Sequence, residues 1–303
     1  MLEYSFLLRL FLLVSLAAGV WVLWDGRSRL IGRPAWEPFV WGLGTALALP
    51  VFLPFYLLGA RSPDRSGTWG VAEIVGIAIF FALTLPVVAG FLGVPEGGLS
   101  FTEVSLVLLV QNGGFVLLTL FGILARYRLP AARLGLTTRR WAAMLLLGAL
   151  VGGAMIPVSM AAERAGLELV GLVEGRPAAL ARAEREHAAD PLTQYLGVTS
   201  GPVRLIWLTV LLTVVVPAGE EVYFRGVVYG GLRNRFGVKW SLLGSTLLFG
   251  AVHRQVIHFL PIALLGLVMA VLYERTQSLL PPLAVHAVNN IISVLARIYG
   301  WNI

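Results

Sequence analysis

The ten residues PAGEEVYFRG (217–226) set two carboxylates and a guanidinium at the end of the apolar run LIWLTVLLTVVV. An ionised side chain near the middle of a bilayer costs about 2.5–3.5 kcal/mol, so groups kept there serve helix contacts or chemistry. At about 3.6 residues per turn, Glu221 and Arg225 share a helix face, with the acid N-terminal to the base, the favourable order for a pair four apart. Glu220 lies about 100° around the helix and need not share that arginine. One acid is then compensated. The other is left to be tuned by its surroundings, as a general base requires. The competing account makes Glu220, Glu221 and Arg225 one structural ion-pair network.

Two further polar clusters follow in apolar sequence. From residue 203 onward the only acids are Glu220, Glu221 and Glu274, and three of the four histidines, His253, His258 and His286, share that stretch. In FGAVH (249–253), Phe249 and His253 stand four apart after SLLGSTLLFGAV, so His253 is expected deep in its span. With a helix-joining turn at 233–238, Glu220 and His253 each fall roughly 20 Å from the hairpin tip and can meet at one depth. In HAVNN (286–290), His286 and Asn290 share a face and Asn289 is offset. His258 is about 500° of helical rotation past His253, on another face, and reads as interfacial. A lone histidine is ordinarily a satisfied core residue. Three polar clusters in consecutive apolar spans point instead to function or helix contacts.

The elements that must position these groups are helices in lipid. The 303 residues are 58% hydrophobic and 13% charged, against about 25% charged in soluble domains. The chain reads as all-α, a polytopic transmembrane helix bundle of about eight to nine spans. The apolar stretches are 4–24, 36–60, 69–93, 104–125, 141–161, 203–232, 238–257, 258–273 and 282–298. The stretch 258–273 is short, and 282–298 opens on Pro281-Pro282 and carries His286, Asn289 and Asn290. Trp36, Trp69, Trp141 and Trp240 mark span starts, where indole rings favour the headgroup boundary. The run 4–24 contains Arg9 and has no clean cleavage site, so it is expected to be a retained first span.

Charge and composition exclude several classes. The net charge of +7 sits in short loops (Arg27, Arg29, Arg33; Arg126 to Arg140; Arg233, Arg235, Lys239), which is topology signalling and not a nucleic-acid groove. The arginines of the first loop and of 126–140 argue for opposite orientations. The absence of cysteine removes disulfides and thiol catalysis. No DDxxD or DxD cluster suggests an isoprenoid or sugar transferase. No internal repeat or pair of half-helices suggests a transporter. The polar connection 162–202 reads as a solvated helical excursion.

Glu220-Glu221-x-x-x-Arg225, Phe249-x-x-x-His253 and His286-x-x-x-Asn290 resemble the three motifs of the CPBP intramembrane proteases. That family contains CAAX prenyl endopeptidases of the Ras-converting type and bacteriocin-processing or immunity proteins. FRG after the glutamates and LYERTQSLLPPLAVHAVNN before the last motif are similar too. The resemblance covers roughly 200–298. It implies that Glu220 and His253 activate water, that His286 and Asn290 support the oxyanion, and that Glu221, Arg225 and Phe249 assist. Residues 1–140 would be an N-terminal transmembrane scaffold and 141–303 the protease domain. The implied partners are a membrane-associated peptide or protein substrate and the lipid bilayer, with no nucleic acid, and the implied place is a bacterial cytoplasmic membrane. Metal stays open. Glu220, His253 and His286 could supply three zinc ligands, but no HExxH is present and Asn290 suits hydrogen bonding better, so no obligatory metal is expected. A non-catalytic scaffold or immunity protein, and less so an ion-coupled transporter, are the alternatives.

Overall fold

The computed structural model describes residues 2–62, 68–84 and 100–301, and every regular element among them is helical. The chain packs as two units, Met1–Glu96 with Leu120–Leu129, and Gly97–Thr119 with Pro130–Ile303.

In the first unit, α1 (Leu2–Arg29), α2 (Glu37–Leu47), α3 (Leu49–Phe55) and α4 (Val71–Ile79) enclose a core that includes Val22, Leu49, Leu53 and Tyr56. The two buried carboxylates of this unit have every oxygen engaged. Asp25 accepts from the Tyr56 hydroxyl at 2.5 Å and from Arg61 at 2.8 and 3.3 Å. Glu73 accepts from the Tyr127 hydroxyl at 2.6 Å and the Gly70 N–H at 2.9 Å. The expected span 69–93 is helical through Thr84, and the rest of it lies outside the described residues.

The second unit is built from α5 (Phe101–Thr119), α6 (Trp141–Glu174), α7 (Arg176–Ala189), α8 (Pro191–Gly197), α9 (Pro202–Val210), α10 (Val216–Glu221), α11 (Gly230–Val252), α12 (Phe259–Thr276) and α13 (Leu280–Tyr299). Wide π-turns, Leu211–Val215 and Val222–Tyr229, join α9 to α10 and α10 to α11. Val104, Leu108, Leu208, Leu211 and Val294 form one core cluster, and Val222, Tyr229, Ala270 and Tyr273 another.

Among the described residues five helices are long and apolar enough to cross a bilayer: Arg9–Arg29, Phe101–Ala125, Trp141–Glu174, Pro202–Val252 and Phe259–Thr276, with Leu49–Ala60 and Val71–Ala82 shorter. The run Pro202–Val252 has 51 residues, which as one helix would extend about 77 Å, more than twice the hydrocarbon thickness. It breaks at Gly237 (φ 76°, ψ 177°), a conformation open to glycine and costly for other residues, inside the turn expected at 233–238. Apolar residues cover the outside, among them Leu47, Leu172, Val173 and Val203. A soluble domain would bury such side chains; lipid accepts them. The protein is an all-α, multi-pass integral membrane protein.

Candidate active site

The two glutamates ride on α10, a six-residue helix between π-turns. Such turns concentrate at functional sites, and here one of them creates a need that another helix meets. The Val216 N–H bonds to the Leu211 carbonyl, five residues back. The matching partner for Leu212 would be Pro217, which has no N–H. Asn290 of α13 supplies the missing donor, its Nδ2 reaching the Leu212 carbonyl at 2.8 Å. One of its two amide hydrogens is thereby used and one remains.

Glu221 and Arg225 pair as the four-residue spacing requires, at 2.9 Å, with side chains 0% and 2% exposed. The guanidinium also donates to the Gly266 carbonyl of α12 at 3.2 Å and lies 4.4 Å from the Phe249 ring centroid. Phe249 is the common neighbour of the motif. Its ring meets Phe224 at 5.0 Å, His253 at 5.0 Å and His286 at 6.0 Å, all edge-on. Bare backbone at Gly266 makes room, since a Cβ there would stand 2.9 Å from the Phe249 ring.

His286, buried on α13, stands between the two acids. Its Nδ1 is 2.9 Å from Glu221 Oε1, the oxygen that also accepts from Arg225, and its Nε2 is 4.0 Å from Glu220 Oε2. A carboxylate oxygen already holding a guanidinium accepts, so Nδ1 carries the hydrogen. Nε2 is the nitrogen turned toward Glu220. The Glu220 side chain is 16% exposed, and its Oε2 is buried without a hydrogen bond, as is Glu221 Oε2.

Two expectations need correction. His253 does not sit deep in its span. Helix α11 ends at Val252, and His253 is its exposed C-cap. Its Nδ1 contacts the Phe249 carbonyl at 2.7 Å. A carbonyl has no hydrogen to give, so Nδ1–H donates and Nε2 keeps its lone pair. Rotation counted past residue 252 therefore also fails for His258, which lies in the turn beyond the helix and is engaged by two carboxylates. Its Nε2 is 3.4 Å from Glu163 Oε1 and its Nδ1 3.6 Å from Glu186 Oε2. The hydrogen bond to Glu163, with the Glu186 charge behind it, holds the His258 imidazole above its ordinary value. Glu274, the third acid after residue 203, is taken by Arg233 at 2.8 and 2.9 Å and by the Tyr229 hydroxyl at 2.8 Å.

The sequence leaves metal open at Glu220, His253 and His286, and the structure lends that option no support. Among the described residues no three His, Cys, Asp or Glu side chains converge as a metal site requires. His286 Nδ1 and His253 Nδ1 both face protein oxygens. Phe249 was marked by its motif but not as a hub, and neither Gly266 nor Glu186 carried a readable signal. Glu186 lies in a charged connection with the pattern of a solvated face. The pairing of Leu212 with Asn290 had a readable signal in Pro217, the missing donor.

Residues 202–292 match the family model described as type II CAAX prenyl endopeptidase Rce1-like. Over 91 residues the chain is 29% identical to a Bacillus subtilis (strain 168) protein named "Putative membrane peptidase YdiL". The match covers 30% of this chain and 37% of that relative. No solved structure matches the chain. All seven residues of the three motifs fall within the matched segment, so over residues 202–292 the chain is similar to the Rce1-like CAAX prenyl endopeptidases, as the motifs led us to expect.

Proposed function

We propose that the protein is an intramembrane endopeptidase, CAAX-protease-like, that hydrolyses a peptide bond with water activated by Glu220. The observation that carries this reading is the asymmetry of the paired glutamates. Glu221 is held through Oε1 by both Arg225 and His286 at 2.9 Å, while Glu220 has only the second nitrogen of that histidine near it, 4.0 Å from its buried Oε2. Glu220 takes one proton from water, and the resulting hydroxide forms a bond to the scissile carbonyl carbon. The charge that develops on the carbonyl oxygen is met by the spare amide hydrogen of Asn290. His253, with Nε2 free, assists the water from the end of α11. The C–N bond then breaks as Glu220 returns the proton to the leaving amine, so one water is consumed and a carboxyl and an amine are released. A general base supplies about 10²–10⁴ in rate and an oxyanion donor about 10²–10³.

The substrate in this reading is a membrane-associated peptide or protein, reached from the bilayer of a bacterial cytoplasmic membrane. The deciding experiment compares membranes carrying the wild type and Glu220→Gln by quantitative proteomics. Peptides released only with the wild type support the reading. Identical peptide sets from the two, with both proteins folded, would remove it.

A further inference from the structure

The polar connection between α6 and α9 holds the turn that follows His253. Residues 254–258 leave α11 without regular structure, and Arg254 takes the left-handed conformation (φ 56°). Glu186 of α7, with a side chain 12% exposed, spans this turn from below. Its Oε1 accepts the Val256 N–H at 2.9 Å and its Oε2 the Ile257 N–H at 3.0 Å, beside His258. From α6, Glu163 faces the other nitrogen of His258. Gly166 of α6 seats the same turn by close approach, since a Cβ there would stand 2.4 Å from the Ile257 carbonyl oxygen. The connection then continues to Asp190, Thr193 and His187, which all hold Arg297 of α13, Asp190 at 2.7 Å and His187 at 3.0 Å. One stretch of chain therefore fastens both the turn after His253 and the helix carrying His286 and Asn290.

The turn offers the Val256 and Ile257 N–H groups no repeating helical acceptor, and Ile257 is buried, where an N–H needs a partner. A single carboxylate supplies both bonds. Without it the last turn of α11 is free to fray, as helix ends do, and His253 sits on that last turn.

We infer that Glu186 is a positioning residue for the proposed hydrolysis: by holding the Val256 and Ile257 N–H groups it fixes where His253 presents its free Nε2. This rests on the peptidase reading, and Glu186 itself touches no reacting group. A displacement of about 1 Å at a reacting group is enough to cost about 10²-fold in rate.

The test uses the full-length protein in membranes, as wild type, Glu186→Ala, Glu186→Gln and Glu220→Gln. Three quantities are read: amide exchange at Val256 and Ile257, the rate at which diethyl pyrocarbonate modifies His253, and release of the peptides that depend on Glu220. Glu186→Ala is expected to speed exchange at both amides, alter the rate of His253 modification, and lower release per folded molecule by about 10²-fold. Glu186→Gln keeps one acceptor oxygen and frees one amide, so its release is expected to fall between that of the alanine variant and the wild type. Wild-type release and wild-type His253 modification in Glu186→Ala, with both amides exchanging faster, would overturn the inference. If the alanine variant does not fold, the glutamine variant decides: slower release with one amide freed supports the inference, and wild-type release with that amide freed overturns it. If Glu220→Gln releases the same peptides as the wild type, the peptidase reading falls. The role of Glu186 is then decided by His253 modification alone, and a rate unchanged in Glu186→Ala rejects it.

Discussion

Both units bury carboxylates among apolar helices, but they treat them differently. In the first, each oxygen of Asp25 and of Glu73 accepts a hydrogen bond, from Tyr56, Arg61, Tyr127 and the Gly70 N–H. In the second, Glu220 and Glu221 each leave Oε2 buried and unbonded, and a histidine stands between them. Leaving a buried polar atom without a bond costs about 1–3 kcal/mol. Saturated carboxylates hold helices together. Unsaturated ones keep an acceptor ready for a proton or for water, which is what distinguishes a site from a staple.

The sharpest way to break this comparison is at Glu220. Glu220→Gln is expected to lower peptide release by about 10²–10⁴ while detergent melting stays at the wild-type value. An equally inactive but destabilised variant would make Glu220 a staple after all. Next, Glu221→Gln strands Arg225 and releases His286, so it should cost about 3–5 kcal/mol of stability and also reduce release, as measured by chemical denaturation and by activity per folded molecule. Glu73→Gln is the matching change in the first unit. Its arginine neighbour Arg126 is 3.7 Å away, so a similar stability loss of about 3–5 kcal/mol is expected, with release per folded molecule unaltered. A loss of release there would erase the distinction between the units.

Smaller effects refine the picture. Phe249→Leu removes the ring on which Arg225 rests and should cost about 2 kcal/mol by denaturation. The weakest expected effect is pH-dependent. His258 has its folded-state value raised by Glu163 and then Glu186. Its contribution is complete below the unfolded value of about 6.5 and is lost as pH rises through the higher folded value. Wild-type melting should therefore exceed that of His258→Gln under mildly acidic conditions and converge on it in alkali.

Much of this was legible because helical geometry is periodic. The pairing of Glu221 with Arg225 follows from their spacing, and the break at Gly237 from the length of the run. The approach of His286 to Glu220 follows from polar residues retained in apolar helices. Periodicity also caused the misplacement of His253 and His258, because FGAVHRQVIHF has no proline or glycine after His253 to announce that the helix stops. What stops it comes from far away in the chain, in Glu186 and Gly166. A carboxylate capping backbone about seventy residues distant looks, in sequence, like any charged residue on a wet helix face. Where the connection 162–202 was expected to be a solvated excursion, Glu163, Glu186, His187, Asp190 and Thr193 are committed to the turn after His253 or to Arg297.

The two π-turns have a consequence for chain length. Each is a helical turn containing more residues than the α-helix needs, and together they bracket the six residues that carry both glutamates. Removing one residue from an α-helix rotates everything beyond it by about 100° and shortens it by about 1.5 Å. Removing one from within Val222–Tyr229 can instead be absorbed by tightening the wide turn to an α-turn, leaving both flanks in phase. Single-residue deletions, which ordinarily scramble a membrane helix, should be tolerated here beyond Arg225 and nowhere along Gly230–Val252. For this helix, loss of a residue is expected to be tolerated within a turn or two of the motif residues whose substitution is expected to cost most.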